Sequence, residues 1–448
     1  MVHELQAIIF AAGKGSRITE LSCSMPKCLL PVGNEPIIFY PIRMLQKANF
    51  KEVTIIIPDI FEEMIERALF NKFQIDLKLV TVPFNKDMGT ADSLRLIENK
   101  IHNDMLLISC DILTDFDLLH LINLYRIYNP TLTVVLSTNS MLNEGSVPGK
   151  KGKGKIERDL IGFEVKDKNK LLFLNSEADF EEEVPFHKSI LRNCPQFEVH
   201  TDYLDTHIYV LKKWVLKFLV NQKNISSIKG ELIPILIRKQ FSKRLCNQKE
   251  MNSGFATSSI DVKPLVTDYF KNDEITIALQ KLESSSKSEK ACTSENKIEC
   301  LAYLMKENFC IRTNHLLGYV EANRRLPSSS TGSEYSTPKS PASKVLDKVQ
   351  IGNDCLIGNG TKIGERSAIK KSVIGSNCNL GEKVKIANSI IMDNVVIEEG
   401  CNIQGSIVCN GVYMNHNAEI KDCVIGAKQK IVALGKLKVN ATLMKFEI

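Results

Sequence analysis

From about residue 346 onward, aliphatic residues recur at short, fixed intervals, the most regular hydrophobic pattern in the chain. Ile351-Gly352, Ile357-Gly358 and Ile363-Gly364 follow one another every six residues. The interval then runs six, six, five. Ile369, Ile386, Ile403 and Ile420 stand seventeen apart, as do Ile374, Ile391, Val408 and Ile425, and Leu380, Ile397, Met414 and Ile431 form a third column. Three columns in phase over four coils predict a left-handed parallel β-helix of hexapeptide repeats across 346–448. Each coil is then a triangle with one aliphatic side chain per side pointing into the shaft. Gly, Asn, Ser and Asp fill the corners, where backbones with φ > 0 are common. One coil cannot bury its own aliphatic residues, whereas stacked coils share a continuous core. An antiparallel sandwich of short strands would not keep three columns in phase. Cys378, Cys401 and Cys423 fall among the repeats and read as small packing residues.

Upstream the pattern changes to alternating strand and helix signals. Ala7-Ile8-Ile9-Phe10, Val53-Thr54-Ile55-Ile56-Ile57 and Met105-Leu106-Leu107-Ile108 are short continuous apolar runs, suited to strands covered on both faces. Segments near 36–48, 90–100 and 116–127 carry helical apolar spacing. This alternation predicts an α/β domain over residues 1–242 with a mainly parallel, doubly wound (Rossmann-like) sheet. Ligands in such sheets bind at the carboxyl ends of the strands. Polar stretches break the chain at 243–299 and, rich in Ser and Pro, at 327–345. The apolar segment 300–326 between them is expected to pack back on the head.

Composition adds exclusions. The 448 residues are 44% hydrophobic and 25% charged, ordinary for a globular protein, and the net charge of +6 is too mild to call for nucleic acid or membrane. No apolar run approaches the roughly 20 residues of a membrane span, and the N-terminus lacks a secretory pattern. Thirteen scattered cysteines with no CxxC pair read as reduced cytosolic thiols, so a cytosolic protein is expected.

Candidate chemistry follows the first strand. Ala11-Ala12-Gly13-Lys14-Gly15-Ser16-Arg17 leads to Met25-Pro26-Lys27-Cys28-Leu29-Leu30-Pro31-Val32-Gly33. Gly13 and Gly15 would let backbone N–H groups approach a phosphate, with Arg17 and Lys27 adding positive charge. The string fits neither the Walker A nor the dinucleotide fingerprint. It resembles the GxGxR…PK signature of nucleotidyltransferases that make nucleotide sugars. Met88-Gly89-Thr90-Ala91-Asp92-Ser93 is similar to that family's GTA loop, and the resemblance places Gly89 and Thr90 beside a nucleotide base. It makes Asp111, in Cys110-Asp111 after a strand, the ligand of Mg²⁺, a cation that prefers hard oxygen donors. Such enzymes commonly carry a left-handed β-helix behind the transferase head.

The chain departs from the enzymes where chemistry demands most. Their second metal-binding aspartate, in a GxWxDxGT stretch, has no counterpart motif, and the one tryptophan is Trp214. The region expected to supply a sugar-binding lysine reads Leu171-Leu172-Phe173-Leu174-Asn175-Ser176-Glu177-Ala178-Asp179. Asp205, in Asp205-Thr206-His207-Ile208-Tyr209, is the conceivable substitute carboxylate. Positioning and electrostatics carry phosphoryl transfer, so losing these groups should cost several powers of ten in rate. No catalytic residue is assigned. The lone His of the repeats, His416, sits in a repeat where hexapeptide acyltransferases would use a loop, and reads as a solvated corner.

A transferase-like head without its sugar site, followed by a β-helix, is similar to the gamma and epsilon subunits of eukaryotic translation initiation factor 2B, the gamma type above all. Asp87-Met88-Gly89-Thr90-Ala91-Asp92-Ser93-Leu94-Arg95, Ser24 to Asn34, Glu231-Leu232-Ile233-Pro234 with Arg238-Lys239-Gln240-Phe241, and Asn402 to Cys409 carry that likeness. The resemblance implies a non-catalytic subunit supporting GDP/GTP exchange on initiation factor 2. Its partners would be the epsilon subunit, the alpha, beta and delta subunits, and initiation factor 2, with no membrane and no direct nucleic-acid partner. The epsilon type extends into a helical exchange domain, and a chain ending at Ile448 is expected to lack it. No cofactor would be required, although GTP or a similar nucleotide with Mg²⁺ could occupy the vestigial pocket. The rival readings are an active pyrophosphorylase making a GDP- or ADP-sugar, and a β-helical scaffold of another assembly. The cationic loop Gly149-Lys150-Lys151-Gly152-Lys153-Gly154-Lys155 has no interleaved aromatic residue and reads as solvated.

Overall fold

The structure, a computed structural model, describes residues 4–86, 88–138, 158–166, 169–180, 188–241, 298–305, 308–326, 348–352 and 354–438, with Pro148, Val184, Phe186 and the short strands 344–345 and 442–443. Most of the two polar stretches, 243–299 and 327–345, and the Gly149–Lys155 loop lie outside the described residues.

Strand and helix alternate in the order their hydrophobic patterns predict. β1 (Leu5–Phe10) leads through a short helix α1 (Thr19–Ser22) to a ribbon of β2 (Pro31–Val32) and β3 (Glu35–Pro36). Next come α2 (Phe39–Lys47), β4 (Glu52–Pro58), α3 (Glu62–Leu69), β5 (Asp76–Val82), α4 (Thr90–Leu96) and β6 (Asp104–Ser109). β7 (Ile112–Thr114), α5 (Leu118–Tyr128) and β8 (Leu132–Thr138) follow. A small sheet then forms from β9 (Asp159–Glu164) and β10 (Leu171–Ser176), and, beyond α6 (Lys188–Asn193), β11 (Phe197–His200). β12 (Tyr203–Leu211), α7 (Lys213–Asn221) and α8 (Ile233–Lys239) complete the first part of the head. The 300–326 segment contributes β13 (Cys300–Met305), β14 (Cys310–Arg312) and α9 (Leu316–Arg325).

The main sheet has the order β13-β8-β12-β6-β1-β4-β5. β1, β4, β5 and β6 are parallel, while β12 runs antiparallel between β6 and β8. Successive residues of the central strands face opposite cores. Ile8 and Leu107 enter the cluster built on Trp214 and Leu94, and Ala7, Ile9, Leu106 and Ile108 enter the one built on Ile38, Ile42 and Leu45. Burial on both faces is why these runs show no polar alternation. β13 joins the sheet beside β8, registered Ala302 to Val134. The 300–326 segment thus supplies an edge strand of the head.

The repeats form three six-stranded parallel sheets wound into one shaft. Their register is the sequence interval itself: Ile369 pairs with Ile386, Ile386 with Ile403 and Ile403 with Ile420. These interior side chains are fully buried, and each such aliphatic is worth about 1.5–3 kcal/mol of burial. Corner hydroxyls satisfy buried backbone. The Ser372 hydroxyl donates to the Lys370 carbonyl (2.7 Å) and accepts from Ser389 N–H (3.2 Å), and Ser389 does the same toward Ala387 and Ser406. Cys378, Cys401 and Cys423 are buried and in no disulfide, their thiols donating to the carbonyls of Met392 (3.1 Å), Asn415 (3.2 Å) and Lys421 (3.0 Å). His416 lies at a half-exposed corner against Glu398, its backbone N–H donating to that carboxylate (3.0 Å).

Helix α9 wedges between head and shaft. Leu316, Tyr319, Ala322 and Leu326 share one apolar cluster with Ile18, Leu30, Val32 and Ile37 of the head and Ile390, Met392, Ile407 and Val424 of the shaft. The Tyr319 hydroxyl donates to the Pro31 carbonyl (2.7 Å), Gly33 N–H to Asn323 Oδ1 (2.9 Å) and Asn34 Nδ2 to the Ile374 carbonyl (2.9 Å). Among the described residues no helix is long and apolar enough to cross a membrane.

Candidate functional site

The sheet order reverses direction at β1, whose neighbours are β4 and β6. The carboxyl ends of adjacent parallel strands there open a crevice, the usual ligand position in such sheets. The Gly13-Lys14-Gly15 loop leaves β1, and Asp111 follows β6 by two residues. Gly13 is exposed with open space around it, and Gly15 takes φ +69° in a turn against Ser22. Lys14 reaches back over the Phe84 ring (5.7 Å), and Arg17 is exposed beyond the turn.

Lys27 and Asp111, far apart in sequence, form an ion pair through Nζ and Oδ2. A second cation joins them. Arg312 sets Nη2 at 3.2 Å from Asp111 Oδ2 and Nε at 3.4 Å from Oδ1, while the Ser109 hydroxyl donates to Oδ1 (2.7 Å). The Asp111 side chain is 1% exposed. Burial alone would raise its pKa, but Arg312 and then Lys27 outweigh burial and hold it well below the usual carboxylate range.

A second buried group lies on β12, where the register shifts between Asp205 and Tyr209 and His207 adopts φ +57°. Asp205 accepts from the Tyr209 hydroxyl and from His207 N–H (2.9 Å), and its own N–H donates to Asp159 (3.0 Å). Lys229 bridges to both Asp159 oxygens (2.9 Å) and stands 4.0 Å from Asp205. Burial pushes Asp205 up. Burial, then Arg312 and Lys229, push His207 well below the ordinary histidine value, so its ring is neutral at neutral pH. Asp205 is thus engaged within its own polar group.

Gly89 and Thr90 stand at the start of α4, against the chain's own 226–228 segment. The Ser226 carbonyl accepts from Ala91 N–H (2.9 Å), and Thr90 Oγ1 accepts from Ile228 N–H (2.9 Å). A Cβ on Gly89 would meet the Ser226 carbonyl oxygen at 2.1 Å, so this backbone approach itself demands glycine.

The magnesium expectation at Asp111 is not met by these donors. Mg²⁺ needs several oxygen ligands in near-octahedral order. Both carboxylate oxygens are instead engaged by Lys27, Arg312 and Ser109. Among the described residues no group of three or more His, Cys, Asp and Glu could hold a metal. The sequence reading missed Arg312. It lies 201 residues from Asp111, in the 300–326 segment, and no motif marks it. A search for an aspartate passes over it.

Comparison with known proteins agrees with both halves. Residues 6–144 match the nucleotidyl transferase family model, and residues 337–436 match the model of the EIF2B subunit epsilon LbH domain, a left-handed β-helix. The chain is 32% identical over 245 residues to translation initiation factor eIF2B subunit gamma of Caenorhabditis elegans, covering 54% of this chain and 59% of that protein. It is 29% identical over 377 residues to the Schizosaccharomyces pombe subunit gamma, covering 82% of this chain and 74% of the relative. The Dictyostelium discoideum subunit gamma is 28% identical over 401 residues, 83% of this chain and 87% of its own length. Over most of its length, then, the chain is similar to eIF2B gamma subunits, with a head similar to nucleotidyl transferases and a shaft similar to the epsilon-subunit left-handed β-helix.

Proposed function

We propose that this chain is a non-catalytic subunit of an eIF2B-type guanine-nucleotide exchange assembly, supporting GDP/GTP exchange on initiation factor 2 from the cytosol. Its expected partners are the epsilon subunit and the alpha, beta and delta subunits. The observation that carries the reading is the ion cluster at the head's crevice. Phosphoryl transfer needs a divalent cation bridging the phosphates, and here Lys27 and Arg312 already neutralise the carboxylate that would hold it. A head that keeps the transferase fold without its metal centre, joined to a long exposed shaft, suits assembly better than turnover. The role calls for no bound nucleotide.

Gentle purification of the native protein tests the proposal. The expected result is stoichiometric recovery with the epsilon-type subunit, and its absence would sink the assembly reading. In parallel, the purified chain is incubated with nucleoside triphosphates, Mg²⁺ and a panel of sugar 1-phosphates. Pyrophosphate release that disappears in Asp111→Asn would establish the transferase instead.

A further inference from the structure

We propose that the Arg312 guanidinium takes the place of the divalent cation at Asp111, making a metal-free ion triad that fastens the β14–α9 segment to the head. Three observations converge on it. Arg312 meets both carboxylate oxygens side-on, at 3.2 and 3.4 Å, and Lys27 completes the charge on Oδ2. Two cations on one carboxylate supply the same charge as a divalent ion there. A metal brought to Asp111 would meet two fixed positive charges in a poorly solvated place, where repulsion is weakly screened.

The second observation is the backbone. β14 pairs with β7, with Arg312 opposite Ile112, and Thr313 N–H donates to the Asp111 carbonyl (2.9 Å). Side-chain bonds from Arg312 and a main-chain bond from its neighbour Thr313 therefore both hold β14 to Asp111. The third is what Arg312 carries. Four residues on, α9 begins, and its Tyr319 and Asn323 grip Pro31 and Gly33 at the joint with the shaft. The triad thus anchors the wedge between head and β-helix from the head side. This inference goes beyond the assembly proposal and does not depend on it, since every readout uses the isolated chain.

The test is Mn²⁺ titration followed by electron paramagnetic resonance, with thermal melting in EDTA and in Mg²⁺. The wild type should leave equimolar Mn²⁺ free and melt at the same temperature in both buffers. Arg312→Lys should keep most of the melting temperature and likewise bind no metal. Arg312→Asp should melt lower in EDTA, bind one Mn²⁺ per chain and regain stability with it, and Arg312→Asp with Asp111→Asn should do neither. Tight Mn²⁺ binding by the wild type that Asp111→Asn abolishes would overturn the proposal. So would an Arg312→Asp chain that folds as stably as wild type in EDTA, or that folds and binds no Mn²⁺. If Arg312→Asp does not fold, the wild-type and Arg312→Lys measurements decide.

Discussion

Gly89→Ala separates two meanings of the Gly89-Thr90 element. If the glycine serves only an incoming base, a methyl group should leave the free protein's stability unchanged. The structure says otherwise, because the new Cβ would lie 2.1 Å from the Ser226 carbonyl oxygen and 2.7 Å from its carbon. Both are backbone atoms, so no side-chain rotation relieves the contact. Overpacking of this kind costs about 1–3 kcal/mol. Displacing Ser226 also breaks the Ala91 N–H bond to its carbonyl, worth about 1 kcal/mol net. Against this, alanine reduces the unfolded chain's freedom by about 0.4–1 kcal/mol, and Gly89 at φ −77° is a conformation alanine adopts easily. The net expectation is a loss of roughly 1–3 kcal/mol, or about 2–12 °C in melting temperature for a domain of this size. Circular dichroism melting of the wild type and Gly89→Ala measures it. A variant melting at or above wild type would refute the packing argument and return the glycine to ligand binding.

Other positions give independent checks. Asp111→Asn strands Lys27 and Arg312 and should cost roughly 3 kcal/mol at neutral pH in denaturant titration, somewhat relieved by the cations' partial exposure. Because the folded-state pKa is depressed, this stabilisation is present above the unfolded carboxyl value and is lost only as pH falls through the lower folded value. The gap between wild type and variant should therefore persist into mild acid and close below it; a gap already closed at mild acid would contradict the ion triad. Ile403→Ala empties a fully buried place between Ile386 and Ile420, and calorimetry should register about 2–5 kcal/mol of lost stability. Lys383→Gly relieves a left-handed corner at φ +56°; the relief of about 1–2 kcal/mol less glycine's entropy should raise stability by about 0.5–1 kcal/mol. A lowered midpoint there would mean the Lys383 side chain is doing something the corner geometry does not require.

The shaft was legible almost residue by residue, because its register is a sequence interval: every aliphatic column read from spacing is a sheet in the structure. The parallel strands β1, β4 and β6 were legible too, since burial on both faces leaves continuous apolar runs. The antiparallel insertion of β12 was not, as pairing direction leaves no trace in a strand's own composition. Lys27 and Asp111 were found by motif, but their pairing with each other was not, because a motif assigns each residue a ligand and says nothing about what replaces it. Arg312 lies two hundred residues from Asp111 and carries the wrong charge for the role sought. Ser226 against Gly89 is likewise a contact between distant backbones, invisible to local pattern.

The signature string itself acquires a different meaning at the joint. Pro31 and Gly33, which close the signature string, and the adjoining Asn34 give their backbone or side-chain groups to Tyr319, Asn323 and the Ile374 carbonyl of the shaft. Lys27, on the same loop, gives its charge to Asp111. One loop therefore touches the ion triad at one end and the β-helix at the other, and α9 closes the circuit from Arg312. In an enzyme the same loop would have to adjust to phosphates arriving and leaving. Here its polar groups have internal partners, and holding head and shaft in one orientation needs that rigidity. Under the assembly role proposed above, such fixation is a gain, whereas it would cost a transferase.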